Sequence, residues 1–117
     1  MTMLDLELLN ELRDDLSENV LAGLLVHFIE NADGRLARLA AALENATLRE
    51  AGREAHSLKG VSASLGMPDL AAVASLVEET CRAGDLEAAQ AQAHGLPDLL
   101  ARTIVCLGDH YTLPGRT

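Results

Sequence analysis

Aromatic residues are nearly absent from this sequence: one Tyr, one Phe and no Trp make up 2% of 117 residues. A core must therefore be assembled from Leu, Ala, Val and Ile, which suits packed helices better than sheets built on aromatic and β-branched side chains. Basic residues are also few. Nine Lys and Arg stand against eighteen Asp and Glu, for a formal net charge of -9. The nine are scattered along the chain, which argues against a surface that tracks nucleic-acid phosphates. The longest apolar run, "VLAGLLV", falls far short of the roughly 20 residues of a membrane span. The opening "MTMLDLELLN" has acids where a secretory leader needs cations. No nucleic acid and no membrane partner is expected, and the setting expected is cytoplasmic. Cysteines are scarce as well: Cys81 and Cys106 lack Cys or His neighbours at metal-ligand spacing, so reduced, partly buried thiols are predicted instead of a disulfide framework or a zinc site.

What the sequence does have is helix-forming material, with 49% hydrophobic residues and Ala, Leu, Glu and Arg dominating every long segment. One all-α domain over residues 1–117 is expected, large enough for a core without staples. Leucines at 4, 6, 8, 9 and 12 predict a short opening helix, interrupted by "DDLSEN". Ser17 is a candidate N-cap for the segment carrying Leu21, Leu24, Leu25 and Phe28. Beyond "NADG" at 31–34, Leu36, Leu39, Ala40 and Leu43 continue an apolar stripe to about residue 45. Residues 17–45 therefore fit two helices or one bent rod, and the turn-forming residues favour two. Thr47, with Glu50 three residues on, has the pattern of a capping box for a central helix over about 48–66, which "GMP" ends. Leu70, Val73, Val77 and Thr80 define the next helix, closed by "RAGD". A last helix from Leu86 to about Leu107 is expected to bend at Pro97. A loose tail follows over about 109–117. Short connections imply antiparallel neighbours.

The central stretch "AHSLKGVSASLGM" concentrates the chemistry. Ala51, Ala55, Leu58, Ser62 and Leu65 recur at steps of four and three, which makes them the inward seam and points His56 outward. Around His56 on the outer side lie Gly52, Gly60, Arg53, Lys59 and Ala63. Each helical glycine costs about 1 kcal/mol relative to alanine, so two on one outward strip ask for a compensating benefit. Access for a bulky partner to the imidazole is the simplest one, although the strip could instead admit a crossing helix. A neutral imidazole is a nucleophile, and a phosphoryl group arriving on it would bring charge for Lys59 to pair with. Such transfer depends mainly on positioning and charge stabilisation, so a domain with few groups of its own can serve if its partner supplies the rest.

The run His56-Ser57-Leu58-Lys59-Gly60, with Ser62 and Leu65-Gly66 at their offsets, resembles the signature of histidine phosphotransfer (HPt) domains of two-component phosphorelays. The whole chain is similar to a free-standing member, including "LVEETCRAGDLEAA" after the motif helix. The resemblance implies an antiparallel four-helix bundle with a short N-terminal helix. It implies that His56 accepts a phosphoryl group from a receiver-domain aspartate and passes it to another response regulator. Lys59 would steady that group, and Gly60, Gly52, Arg53 and Ala63 would form the docking strip. Partners would be receiver domains and a hybrid histidine kinase. The protein would carry no cofactor of its own, magnesium being held by the receiver, and would have no autonomous kinase activity. Val61 departs from the small or hydroxylated residue many members carry there, a change of packing more than of chemistry.

Folding back at "GMP" sets residue 78 roughly level with His56, so Glu78 could orient the imidazole, although a carboxylate there would also repel a phosphoryl group. Ser57 and Ser62 belong to no Ser-His-acid arrangement that one helix can supply. His27, His94 and His110 read as incidental and Met67 as core. Glu7, Glu11, Asp14, Asp15 and Glu18 read as a solvated face. Nothing demands a dimer, and a monomer is expected. Two other readings stay open. One is a non-catalytic helical adaptor or inhibitor that binds a receiver or a histidine kinase with His56 idle. The other is the phosphoacceptor module of a chemotaxis kinase.

Overall fold

The computed structural model describes residues 2–113. Among them there are six helices and no strand: α1 (Leu6–Leu16), α2 (Glu18–Glu44), α3 (Leu48–Ser64), α4 (Pro68–Arg82), α5 (Leu86–Ala93) and α6 (Leu96–His110). Their buried faces meet in one apolar cluster of mostly Leu and Ala, to which Phe28 contributes the only fully packed aromatic ring among these residues.

The longest element is α2, and it corrects the expectation of two helices. At about 1.5 Å per residue its 27 residues account for the 42 Å long axis of the molecule. The "NADG" stretch does not break it because the inward face runs straight through, with Phe28, Ile29, Ala32 and Leu39 all buried. Asn31 turns its amide back onto the His27 carbonyl at 2.7 Å, within the helix. Gly34 lies on the solvent side, where its cost is smaller than the packing gained by continuing. Ser17 caps the helix as expected, accepting from Val20 N–H at 3.2 Å, while α1 extends through "DDL" to Leu16.

Two further expectations are corrected. Thr47 stands at the N-cap of α3 without a side-chain cap bond. Its hydroxyl instead donates to the Ala42 carbonyl at 2.9 Å, closing the end of α2, so the capping box with Glu50 does not form. Nor does Pro97 bend a continuous last helix. The chain divides at His94 and Gly95, and Pro97 falls in the first turn of α6, where a missing N–H costs nothing. The end of the chain is also less loose than expected. Asp109 and His110 belong to α6, Leu113 is buried, and Tyr111 donates its hydroxyl to Asn10 at 3.3 Å. Residues 114–117 of the expected tail lie outside the described residues.

The pair that positions the site is α3 and α4, which pack together most extensively. The turn between them needs a glycine: Gly66 has φ +71, and a Cβ there would stand 2.8 Å from Leu9 Cγ, so α1 lies directly against the turn. Asp5 N–H bonds the Gly66 carbonyl at 2.8 Å, and Thr2 N–H reaches Asp69 at 2.8 Å. The N-terminal segment thus clamps the hairpin's closed end. On its other side α3 is braced to α2 by Arg35 to Ser57 at 2.6 Å and Arg38 to Glu54 at 3.3 Å. Both braces run in antiparallel register.

Candidate functional site

The seam of α3 settles where its other residues point. Ala51, Ala55, Leu58, Ser62 and Leu65 are all buried, so residues offset by half a turn face outward. His56 is among them, with 67% of its side chain exposed. Beside it, α4 returns in antiparallel register, bringing Cys81 against Gly52 and Glu78 against His56.

Glu78 is the hub of the site, its side chain only 8% exposed. Oε2 lies 2.7 Å from His56 Nδ1 and accepts from Arg82 Nη2 at 3.3 Å, and Oε1 accepts from Lys59 Nζ at 2.6 Å. A buried carboxylate is costly unless paired. Here the Lys59 hydrogen bond holds the Glu78 carboxyl below the ordinary glutamate value, against the opposing effect of burial and with further help from His56. An ionised carboxylate only accepts, so Nδ1 must carry the proton of this bond. In the neutral ring the Nε2 lone pair is then free. The arrangement presents one imidazole in a fixed tautomer, anchored by one nitrogen and open to solvent at the rest of the ring.

A groove of about 560 Å³ runs beside the ring between α3 and α4, lined by Leu48, Arg49, Gly52, Arg53, His56, Glu78, Cys81 and Arg82. The expected docking residues divide around it. Gly52 and Arg53 lie in this groove with His56. Ala63 and Lys59 border a second groove toward α1, formed with Asp5, Leu8 and Pro68. Gly60 is exposed, with open space where a Cβ would stand. Among the described residues no helix covers Gly60. Gly52 is half-buried because α4 runs past it, and a Cβ there would meet Cys81 Cβ at an ordinary 3.5 Å. Burial pushes the Cys81 thiol up, away from the reactive thiolate.

The basic residues are not scattered in space as they are along the chain. Arg49, Arg53 and Arg82 share the groove, and Lys59 joins them through Glu78. Arg49 was the residue missed by sequence reasoning. The signal was available: 49, 53, 56 and 60 are spaced by four, three and four, one stripe along the outer face of α3. Lys59 also differs from expectation, since its ammonium is already committed to Glu78.

A helical protein that sets an oriented, solvent-facing imidazole on a helix stripe of small and basic residues has a build that suits group transfer. Comparison with family models gives the class a name: residues 23–104, most of the chain, match the Hpt domain. The chain belongs to the Hpt domain family. It is thereby tied to phosphorelays, in which such domains carry phosphoryl groups between receiver domains and histidine kinases and are not themselves kinases. Comparisons with curated proteins and with solved structures gave no match. Among the described residues no helix is long and apolar enough to cross a membrane.

Proposed function

We propose that the chain is a phosphorelay intermediate. His56 Nε2 accepts a phosphoryl group from the aspartyl phosphate of one receiver domain and delivers it to the aspartate of another. The observation that carries this reading is the ring's divided setting, with Nδ1 2.7 Å from a buried carboxylate while the imidazole is 67% exposed.

The step balances without a proton transfer. The Nε2 lone pair attacks phosphorus, the N–P bond forms as the P–O bond to the receiver's aspartate breaks, and the electron pair leaves on that carboxylate. Nδ1 keeps its hydrogen throughout. The product ring is substituted on both nitrogens and so carries a positive charge, which Glu78 offsets at hydrogen-bond distance. Return transfer reverses each event. Glu78 does not repel the incoming anion as an unpaired carboxylate would, because Lys59 and Arg82 both bond it. Lys59 thus acts as a positioning residue, fixing Glu78 before it adds charge near the phosphoryl group. Gly60 leaves room for docking, and Gly52, Arg53 and Ala63 flank the approach.

In this reading α2, α3, α4 and the successive helices α5 and α6 form the family's antiparallel four-helix bundle, with α1 closing one end. The chain works as a monomeric, cytoplasmic carrier without kinase activity of its own. Incubation with a labelled, phosphorylated receiver domain tests it. Wild type should take acid-labile label and His56→Gln none. A His56→Gln chain that still affects the relay as wild type does would identify an adaptor instead.

A further inference from the structure

Arg49 and Arg53 are the unexplained residues of the site. Sitting four apart on α3, they repel one another by a few tenths of a kcal/mol. Yet in a chain with eighteen Asp and Glu, neither enters an ion pair among the described residues. The nearby Glu54 is turned toward Arg38 on α2, and Glu78 is taken by Lys59, His56 and Arg82. The two guanidiniums therefore face the groove uncompensated. With Lys59 and Arg82, four of the nine basic residues gather at one imidazole on a protein of net charge -9.

We propose that this groove docks an acidic segment of the partner, a receiver surface with carboxylates near the phosphorylated aspartate but outside the pocket that holds magnesium, and that Arg49 and Arg53 determine which receivers are accepted. The proposal rests on the phosphotransfer reading of His56. An acidic partner is repelled by the chain's net charge and attracted at this cluster, so the field both speeds encounter and turns the phosphoaspartate toward the ring. The groove has room for side chains, and its floor of Leu48, Gly52 and Cys81 gives them an apolar bed beneath the cationic rim. A receiver with a neutral or basic surface there would leave both arginines unpaired and lose this advantage.

The test is the second-order rate of transfer from the phosphorylated receiver domain that exchanges label fastest with this chain, measured for wild type, Arg53→Glu and Arg102→Glu. Arg102 is an exposed residue of α6 paired with Asp98, so its reversal changes net charge equally but away from the groove. Arg53→Glu should slow transfer roughly tenfold, and Arg49→Glu similarly, while Arg102→Glu stays near wild type. The gap should close between about 0.1 M and 1 M salt, as the Debye length falls from about 10 Å to about 3 Å. Equal rates for Arg53→Glu and Arg102→Glu, with His56 still labelled, would overturn the docking proposal alone. If wild type takes no label on His56, the phosphotransfer reading itself fails. Inhibition by inorganic phosphate at concentrations too low to screen charge would assign the groove to a small oxyanion and overturn the proposal too.

Discussion

Replacing Glu78 by Gln keeps the size of the side chain and removes only its charge, so it isolates what the carboxylate does for His56. For stability, breaking a fully buried ion pair costs about 3–5 kcal/mol, and an exposed one at most about 1 kcal/mol. Glu78 is 8% exposed but Lys59 is 35% exposed and can rehydrate, which sets the loss at roughly 1–3 kcal/mol. With about 2.1 cal/mol/K per residue of unfolding entropy, 1 kcal/mol moves Tm by roughly 4 °C for a chain of this length. Tm should therefore fall by about 4–12 °C. For transfer, the positively charged phosphorylated ring exchanges a carboxylate acceptor for a neutral amide oxygen and so loses its ion pair, worth about 1–1.5 kcal/mol, and the equilibrium between phosphoreceiver and phosphohistidine should shift roughly tenfold toward the receiver. Label partitioning at equilibrium measures this directly. A Glu78→Gln chain that partitions label as wild type does would refute the assignment of Glu78 as the residue that orients the ring and offsets its charge. The pH dependence gives a second check. Because Glu78 is held below its ordinary value, chiefly by Lys59, its contribution to stability is fully present above the ordinary glutamate range. It is lost as pH falls through the lowered folded value. The Tm gap between wild type and Glu78→Gln should thus narrow below about pH 4, and a gap that widens there would contradict the sign.

Lys59→Ala should slow transfer and loosen Glu78 while leaving the fold intact, and stopped-flow transfer rates unchanged from wild type would remove its positioning role. Gly66→Ala should destabilise by roughly 2 kcal/mol or more, since φ is +71 and Leu9 Cγ stands 2.8 Å from the new Cβ. Urea midpoints would show it, and a neutral result would mean α1 does not press on the turn. Ser62 Oγ is buried without a hydrogen-bond partner, so Ser62→Ala should stabilise by about 1 kcal/mol. A lower midpoint would show that the hydroxyl is satisfied.

The seam of α3 and the outward placement of His56 were legible in the sequence because both follow from the helical period alone. So was the end of that helix, since Gly66 and Pro68 each impose a backbone geometry of their own. The unity of α2 was not: Asn31, Asp33 and Gly34 carry turn propensity, and only packing of Ala32 and Leu39 against the other helices overrides it. Thr47 misled because its hydroxyl had two backbone groups within reach, and the neighbouring helix end took it. Approximate register across the turn put Glu78 near His56, but its burial and its bonds to Lys59 and Arg82 depend on how closely α3 and α4 pack. The gathering of Arg49, Arg53 and Arg82 needed both the α3 stripe and its partner helix, because Arg82 lies far from the others in sequence.

The phosphotransfer role of His56 requires a particular atom, Nε2, to receive the phosphoryl group. Nitrogen-15 and phosphorus-31 NMR of the chain labelled by a phosphorylated receiver reads that atom directly. Phosphorus bonded to Nε2 of His56, with Nδ1 still bearing its proton, is the result predicted by the 2.7 Å contact to Glu78. Phosphorus on Nδ1, or on any residue other than His56, would contradict it.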